Sequence, residues 1–121
     1  MHITLKGNPL STNNIYRTHN LGNFSTRYMT NQGRALKESY GWQLKQQCKR
    51  KPSAYASDLQ IEIKLFFGDK RKRDWDNYHK LSMDSMTGII YEDDSQIKKA
   101  TVETFYDKLN PRIEILIKKY E

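Results

Sequence analysis

The segment Asp58–Gly68, DLQIEIKLFFG, constrains the fold more than any other stretch of the chain. Leu59, Ile61, Ile63, Leu65 and Phe67 point to one side of an extended backbone; Gln60, Glu62 and Lys64 point to the other. Such a strand has one face to bury and one to leave in water, and it needs neighbouring strands. Met1–Gly7, MHITLKG, alternates in the same way through Ile3 and Leu5. QIKKATVETFYDK and RIEILIKKY read as two more strands, joined by a turn around LNPR. Ile113, Ile115 and Ile117 alternate inward in the second. In the first, Ile97 is out of phase with Ala100, Val102 and Tyr106, which predicts a bulge near Lys98–Lys99.

Helical periodicity marks two segments. Thr30 or Asn31 caps the first, which the pattern carries to about Lys51, just before Pro52. Leu36, Tyr40, Leu44 and Cys48 form its apolar stripe. Its last turn, CKRK, places cations at the negative end of the helix dipole, so nucleic-acid contact is not needed to explain them. The second helix is expected from about Asp76 to Thr87, with Gly88 closing it. Tyr78, Leu81, Ser85 and Met86 make a mixed apolar face; Asp76, Lys80 and Asp84 fall on another. The polar segment Asn8–Met29 reads as an ordered loop with a short strand near Arg27–Met29, and a loop of that length is usually functional. The order predicts an α+β fold in one domain, residues 1–121: a small mixed sheet of about four strands with two main helices.

Composition narrows the function. Lys and Arg number 21 against 14 Asp and Glu, a net charge of +7, which favours polyanionic partners and nucleic acid first. No apolar run approaches the roughly 20 residues of a membrane span, so no membrane partner is expected. MHITLKGN lacks an apolar signal-peptide core, so a cytoplasmic location is expected. Cys48 is the sole cysteine, and His2, His19 and His79 share no zinc-ligand spacing. No phosphate-cradling G-x-x-x-x-G-K-[ST] occurs, so no nucleotide cofactor is expected.

The chemistry concentrates in Asp69–Lys80, DKRKRDWDNYHK. Four cations, Lys70, Arg71, Lys72 and Arg73, run into Asp74 and Asp76. If the dipeptide is extended, both carboxylates face one side with Cβ atoms roughly 6–7 Å apart, able to share one hard cation. A second acidic cluster, Glu92-Asp93-Asp94, follows the second helix, and the chain must turn back for the clusters to meet. An EF-hand is excluded: position six is His79 rather than Gly, and position twelve is Ser85 rather than Glu. The competing explanation is that Asp74 or Asp76 caps the following helix, which accounts for one acid but not for both and the later cluster. Lys80, one turn after Asp76, is either an ordinary ion-pair partner or a cation held beside a metal site.

Taken together, Asp69–Ile97, DKRKRDWDNYHKLSMDSMTGIIYEDDSQI, resembles the central signature of RusA-type Holliday junction resolvases. The shared pattern is a basic run, D-x-D-N, a Lys four residues after the second Asp, an Asp-x-Met-Thr segment and an acidic pair before a Gln. ITLKGNPLSTNNIYR is similar to the family's opening strand and Asn-Asn-x-Tyr-Arg loop. The resemblance implies a small homodimeric endonuclease, often carried by phages and prophages, acting in DNA recombination and repair. It implies symmetric nicking of four-way DNA junctions with Mg2+ or Mn2+. By position, Asp74, Asp76 and Asp94 become the metal-binding catalytic acids, with Asp93 the alternate to Asp94, and Lys80 the catalytic lysine. Lys70, Arg71, Lys72 and Arg73, with Asn13, Asn14 and Arg17, become the DNA-binding candidates, Arg73 foremost. A nuclease of the same fold acting on flaps or forks, and a non-catalytic nucleic-acid-binding dimer, are the alternatives.

Overall fold

The computed structural model describes residues 1–121. A four-stranded mixed sheet is built from β1 (His2–Lys6), β4 (Leu59–Phe67), β5 (Ile97–Tyr106) and β6 (Arg112–Lys119), in the order β1-β6-β4-β5. The alternation in β4 has the expected consequence: Leu59, Ile61, Ile63, Leu65 and Phe67 are all buried. Ile3 and Leu5 of β1, and Ile113, Ile115 and Ile117 of β6, join them on the same face. That face is covered by α2 (Asn31–Gln47), which buries Tyr40 and Leu44, and by α3 (Lys80–Met86), which buries Leu81 and Met86. The opposite face carries Glu62, Lys64 and Glu114 and is left to solvent.

The two strands joined around LNPR do not pair with each other. β5 and β6 are consecutive in the chain but not adjacent; β4 lies between them, parallel to β5 and antiparallel to β6. The connection therefore crosses the end of β4, where Asp107 N–H donates to the Phe67 carbonyl at 2.8 Å. β4, α3 and β5 form a parallel crossover unit. The expected bulge is present: Leu59 pairs with Ile97 and Gln60 with Lys99, leaving Lys98 as the extra residue.

Two helix limits also differ. α2 stops at Gln47, not Lys51, and Thr30 caps its start, its Oγ1 accepting from Gly33 N–H at 3.0 Å. The segment expected to be helical from Asp76 is first a 3-10 turn, Trp75–Asn77, and the α-helix begins only at Lys80. Most of Asn8–Met29 is not a loop. A one-turn helix α1 (Thr12–Ile15) leads into an antiparallel hairpin, β2 (Tyr16–Leu21) and β3 (Phe24–Met29), turning through Gly22 at φ 61°. A glycine at the first turn position suits a type II′ hairpin. The hairpin showed no alternation because neither of its faces is buried. Gly33 lets α2 approach α1: an added Cβ would stand 2.9 Å from the Ile15 carbonyl oxygen.

The β1 edge is closed by side chains. Gln47 accepts from Thr4 N–H at 2.9 Å and donates to the Thr4 carbonyl at 2.7 Å. Gln43 does the same for Lys6, at 2.6 and 3.0 Å. Two carboxamides, one turn apart on α2, thus replace a neighbouring strand. Replacing both, Gln43→Ala with Gln47→Ala, is expected to lower stability by about 1–2 kcal/mol, since each net hydrogen bond is worth about 1 and water can reoccupy part of this edge. Urea unfolding measures it; a loss below about 0.3 kcal/mol would make these contacts incidental.

Candidate active site

The acidic clusters meet because the chain reverses after α3. Gly88, at φ 85°, takes the turn, with its N–H on the Tyr91 carbonyl at 2.7 Å and Ile90 N–H on the Met86 carbonyl at 2.9 Å. Tyr91 is buried beneath, its hydroxyl donating to the Met83 carbonyl at 2.6 Å, and burial pushes its phenol well above the ordinary range. The chain then re-enters the sheet through a 3-10 turn, Asp94–Gln96. The result is a solvent-open cleft lined by Thr12, Asp76, His79, Lys80, Asp84 and Asp94, with Met83 and Ile97 as its apolar lining.

Asp76, Lys80 and Asp94, expected to act together, therefore lie in one cleft. Lys80 Nζ pairs with Asp84 at 3.5 Å, not with Asp76. Asp84 was placed on the same face as Asp76 and Lys80 by spacing but was not counted as a site residue. Thr12 was missed altogether; its hydroxyl donates to the Asn77 carbonyl at 3.2 Å and ties the N-terminal motif to the turn that carries Asp76. Asp74 is not among the cleft-lining residues. The 3-10 turn begins immediately after it, so the Asp74–Asp76 dipeptide is not extended and the argument for two carboxylates on one side does not apply.

Asp93 and Asp94 have different surroundings. The Asp93 carboxylate accepts from the Ser95 hydroxyl, which holds its pKa below the usual carboxylate range despite some desolvation. Gln96 accepts from the N–H groups of Glu92 and Asp93 at 2.9 and 2.8 Å and donates to the carbonyls of Tyr55 and Ser57. That lattice anchors the acidic turn through Asp93 and leaves Asp94 to the cleft. His79 is half-buried; burial depresses its pKa, and Nδ1 has no hydrogen-bond partner.

The cleft suits some metals better than others. No three His, Cys, Asp or Glu side chains converge to enclose an ion. Three carboxylates border the open space; Asp84 is paired with Lys80, which leaves Asp76 and Asp94, from separate segments, without an ion-pair partner. That donor set fits Mg2+ or Mn2+, which are commonly held by one or two carboxylates with water and substrate phosphate completing the shell. It does not fit a closed zinc site.

The basic run leads away from the cleft. Lys70, Arg71 and Arg73 border a second depression with Thr104, Phe105 and Tyr106, at the far end of β5 from Asp94. At about 3.3 Å per residue, Ile97 and Tyr106 are roughly 30 Å apart. Lys70 lies over the Tyr106 ring at 4.9 Å, and the Arg71 side chain is 81% exposed. Lys72, Asn13, Asn14 and Arg17 are exposed. Arg73, the foremost of these candidates by resemblance, differs from the others in its surroundings. Its side chain is 9% exposed, pairs with Asp69 at 2.7 Å and stacks on Phe67 at 4.3 Å. Asp69 is held below the ordinary carboxylate range by Arg71 N–H first, and then by Arg73.

No helix of the chain is long and apolar enough to cross a membrane. A 48-residue stretch is 42% identical to the uncharacterized protein YqaN of Bacillus subtilis (strain 168), covering 40% of this chain and 33% of that protein. The family match runs much further, from residue 6 to residue 118, through the hairpin, the D-x-D-N turn, the acidic re-entry turn and β6. On that match the chain belongs to the RusA endodeoxyribonuclease family.

Proposed function

We propose that this chain is a homodimeric, Mg2+-dependent endonuclease that resolves four-way DNA junctions by paired symmetric nicks in recombination and repair, with Mn2+ able to replace Mg2+. One observation carries the reading: Asp76, Lys80 and Asp94, from a turn, a helix and a re-entry loop, border one open cleft in a chain of net charge +7. Asp76 and Asp94, which border the cleft, would hold the metal; Asp74, exposed on the approach to the same turn, is the third carboxylate the family resemblance assigns to it. When bound, the metal supplies Lewis-acid polarisation of a phosphate and a water of lowered pKa. Lys80, 52% exposed in its side chain, faces the same cleft and stabilises the charge that builds on the phosphate oxygens. Cleavage in line leaves a 5′-phosphate and a 3′-hydroxyl. Lys70, Arg71 and Lys72 take phosphates away from the scissile one, and Asn13, Asn14 and Arg17 take the strand on the hairpin side.

Incubation with a synthetic four-way junction tests this. Mg2+ is expected to give symmetric nicks in two strands of like polarity, and chelation to abolish them. Duplex DNA is expected to remain intact. Equal cutting of flap or fork DNA would replace the junction assignment with a broader branched-DNA activity. No cutting of any branched DNA in Mg2+ or Mn2+ would leave only a binding role.

A further inference from the structure

The two edges of the sheet are finished differently. The β1 edge is occupied by Gln43 and Gln47. The β5 edge is not: from Lys99 to Tyr106 the backbone bonds only to β4. An open edge of this length is a template for another strand. Its core-side surface is only partly covered, by the turn that carries Trp75. Ala100 and Val102 pair with the buried Ile61 and Ile63, yet Ala100 is exposed and Val102 only half-buried. Beside them runs an apolar groove lined by Ile63, Trp75, His79, Met83, Ala100 and Val102, and Trp75 is 57% exposed.

We propose that β5 is the surface on which a second copy of this chain docks, antiparallel, with the two-fold axis at Thr101. This rests on the homodimer reading above, which says nothing of the surface used. Charge complementarity selects both partner and register. Opposed residues of an antiparallel pair share a face, so a two-fold axis must pass at a residue. With the axis at Thr101, Lys99 faces the partner's Glu103 and Glu103 faces the partner's Lys99. An axis at Ala100 or Val102 opposes neither charge to an unlike one. An axis at Lys99 or Glu103 sets a charge against its own copy. The Thr101 register also opposes Ala100 to the partner's Val102 and joins the two apolar grooves across the axis.

Sedimentation of the full chain without DNA or metal is the test. Lys99→Glu and Glu103→Lys are each expected to raise the dimer dissociation constant at least about tenfold, because each creates two like-charge cross-strand pairs. The double swap is expected to return it to within about threefold of the parent. In a Cys48→Ser background, Thr101→Cys is expected to form an oxidised cross-linked dimer faster than Lys99→Cys or Glu103→Cys, since only residue 101 meets itself. Circular dichroism checks that each variant is folded. A monomer at all concentrations overturns the proposal together with the homodimer reading. A dimer indifferent to both charge swaps, with no preference for cross-linking at 101, overturns the β5 surface and leaves the homodimer standing. Neither result depends on nuclease activity.

Discussion

Asp76→Asn is expected to leave the chain folded and bound to a four-way junction while lowering Mg2+-dependent nicking by about a thousandfold or more, some 4 kcal/mol of transition-state stabilisation. Asp76 is exposed, and its carboxylate makes no hydrogen bond or ion pair within the protein. Replacing one carboxylate oxygen by an amide therefore disturbs no packing. It removes one of the two carboxylates at the cleft, Asp76 and Asp94, that are not engaged in an ion pair; the third, Asp84, is paired with Lys80. The other unpaired acid, Asp94, is carried by a turn whose shape is fixed by Gln96 and does not depend on Asp76. Binding should be kept or slightly tightened, because one negative charge is removed from the path of the phosphate backbone. Gel shift in a metal chelator separates binding from chemistry, and single-turnover nicking gives the rate. Asp93→Asn serves as the contrasting variant and should retain most activity. An Asp76→Asn protein that cuts at the parental rate would remove the cleft from the chemistry. Equal loss from Asp93→Asn and Asp94→Asn would mean that the acidic turn acts as a whole.

What was legible in the sequence follows from where burial is one-sided. β4 and β6 each bury alternate residues, so a period of two was visible and the buried face could be named. Even the bulge at Lys98 was readable, as a break in the phase of β5. The β2–β3 hairpin buries neither face, so no periodicity marked it; Gly22-Asn23 between Leu21 and Phe24 was the one local signal. The insertion of β4 between β5 and β6 is a non-local choice, and no short window encodes it. At the site, the spacing of Asp76, Lys80 and Asp84 pointed to a shared face even though the α-helix starts only at Lys80. Asp94 reaches the cleft through the Gly88 reversal, which spacing permits without specifying, and its selection came from family resemblance. The cations show the limit most clearly. A run of four reads as four equal charges, and nothing in the string tells which guanidinium is already occupied.

Arg73→Ala is accordingly expected to cost stability, not affinity. The guanidinium pairs with Asp69 at 2.7 Å, lies over Phe67 at 4.3 Å and Tyr78 at 5.9 Å, and reaches the Asp69 and Arg71 carbonyls at 3.4 and 3.3 Å. Phe67 is itself buried and meets Tyr78 edge-on at 4.9 Å, so Arg73 closes a small aromatic stack where β4 hands the chain to the Asp76 turn. Truncation uncovers Phe67, removes the cation from two rings and leaves Asp69 without its closest partner; together these are worth about 2–3 kcal/mol, or roughly 10 °C in melting temperature for a chain of this size. Arg73→Lys should recover less than half of that, since an ammonium cannot stack or fork as a guanidinium does. Well below its melting temperature, Arg73→Ala should bind junction DNA within about twofold of the parent with the same salt slope, while Arg71→Ala should lower that slope by about one. Thermal denaturation and a salt titration of binding read the two effects separately. A folded, fully stable Arg73→Ala protein with weakened and less salt-dependent binding would return Arg73 to the DNA interface. The expected outcome assigns the four cations unequal work: Arg73 fixes the turn that presents Asp76, and the exposed Lys70, Arg71 and Lys72 meet the phosphates.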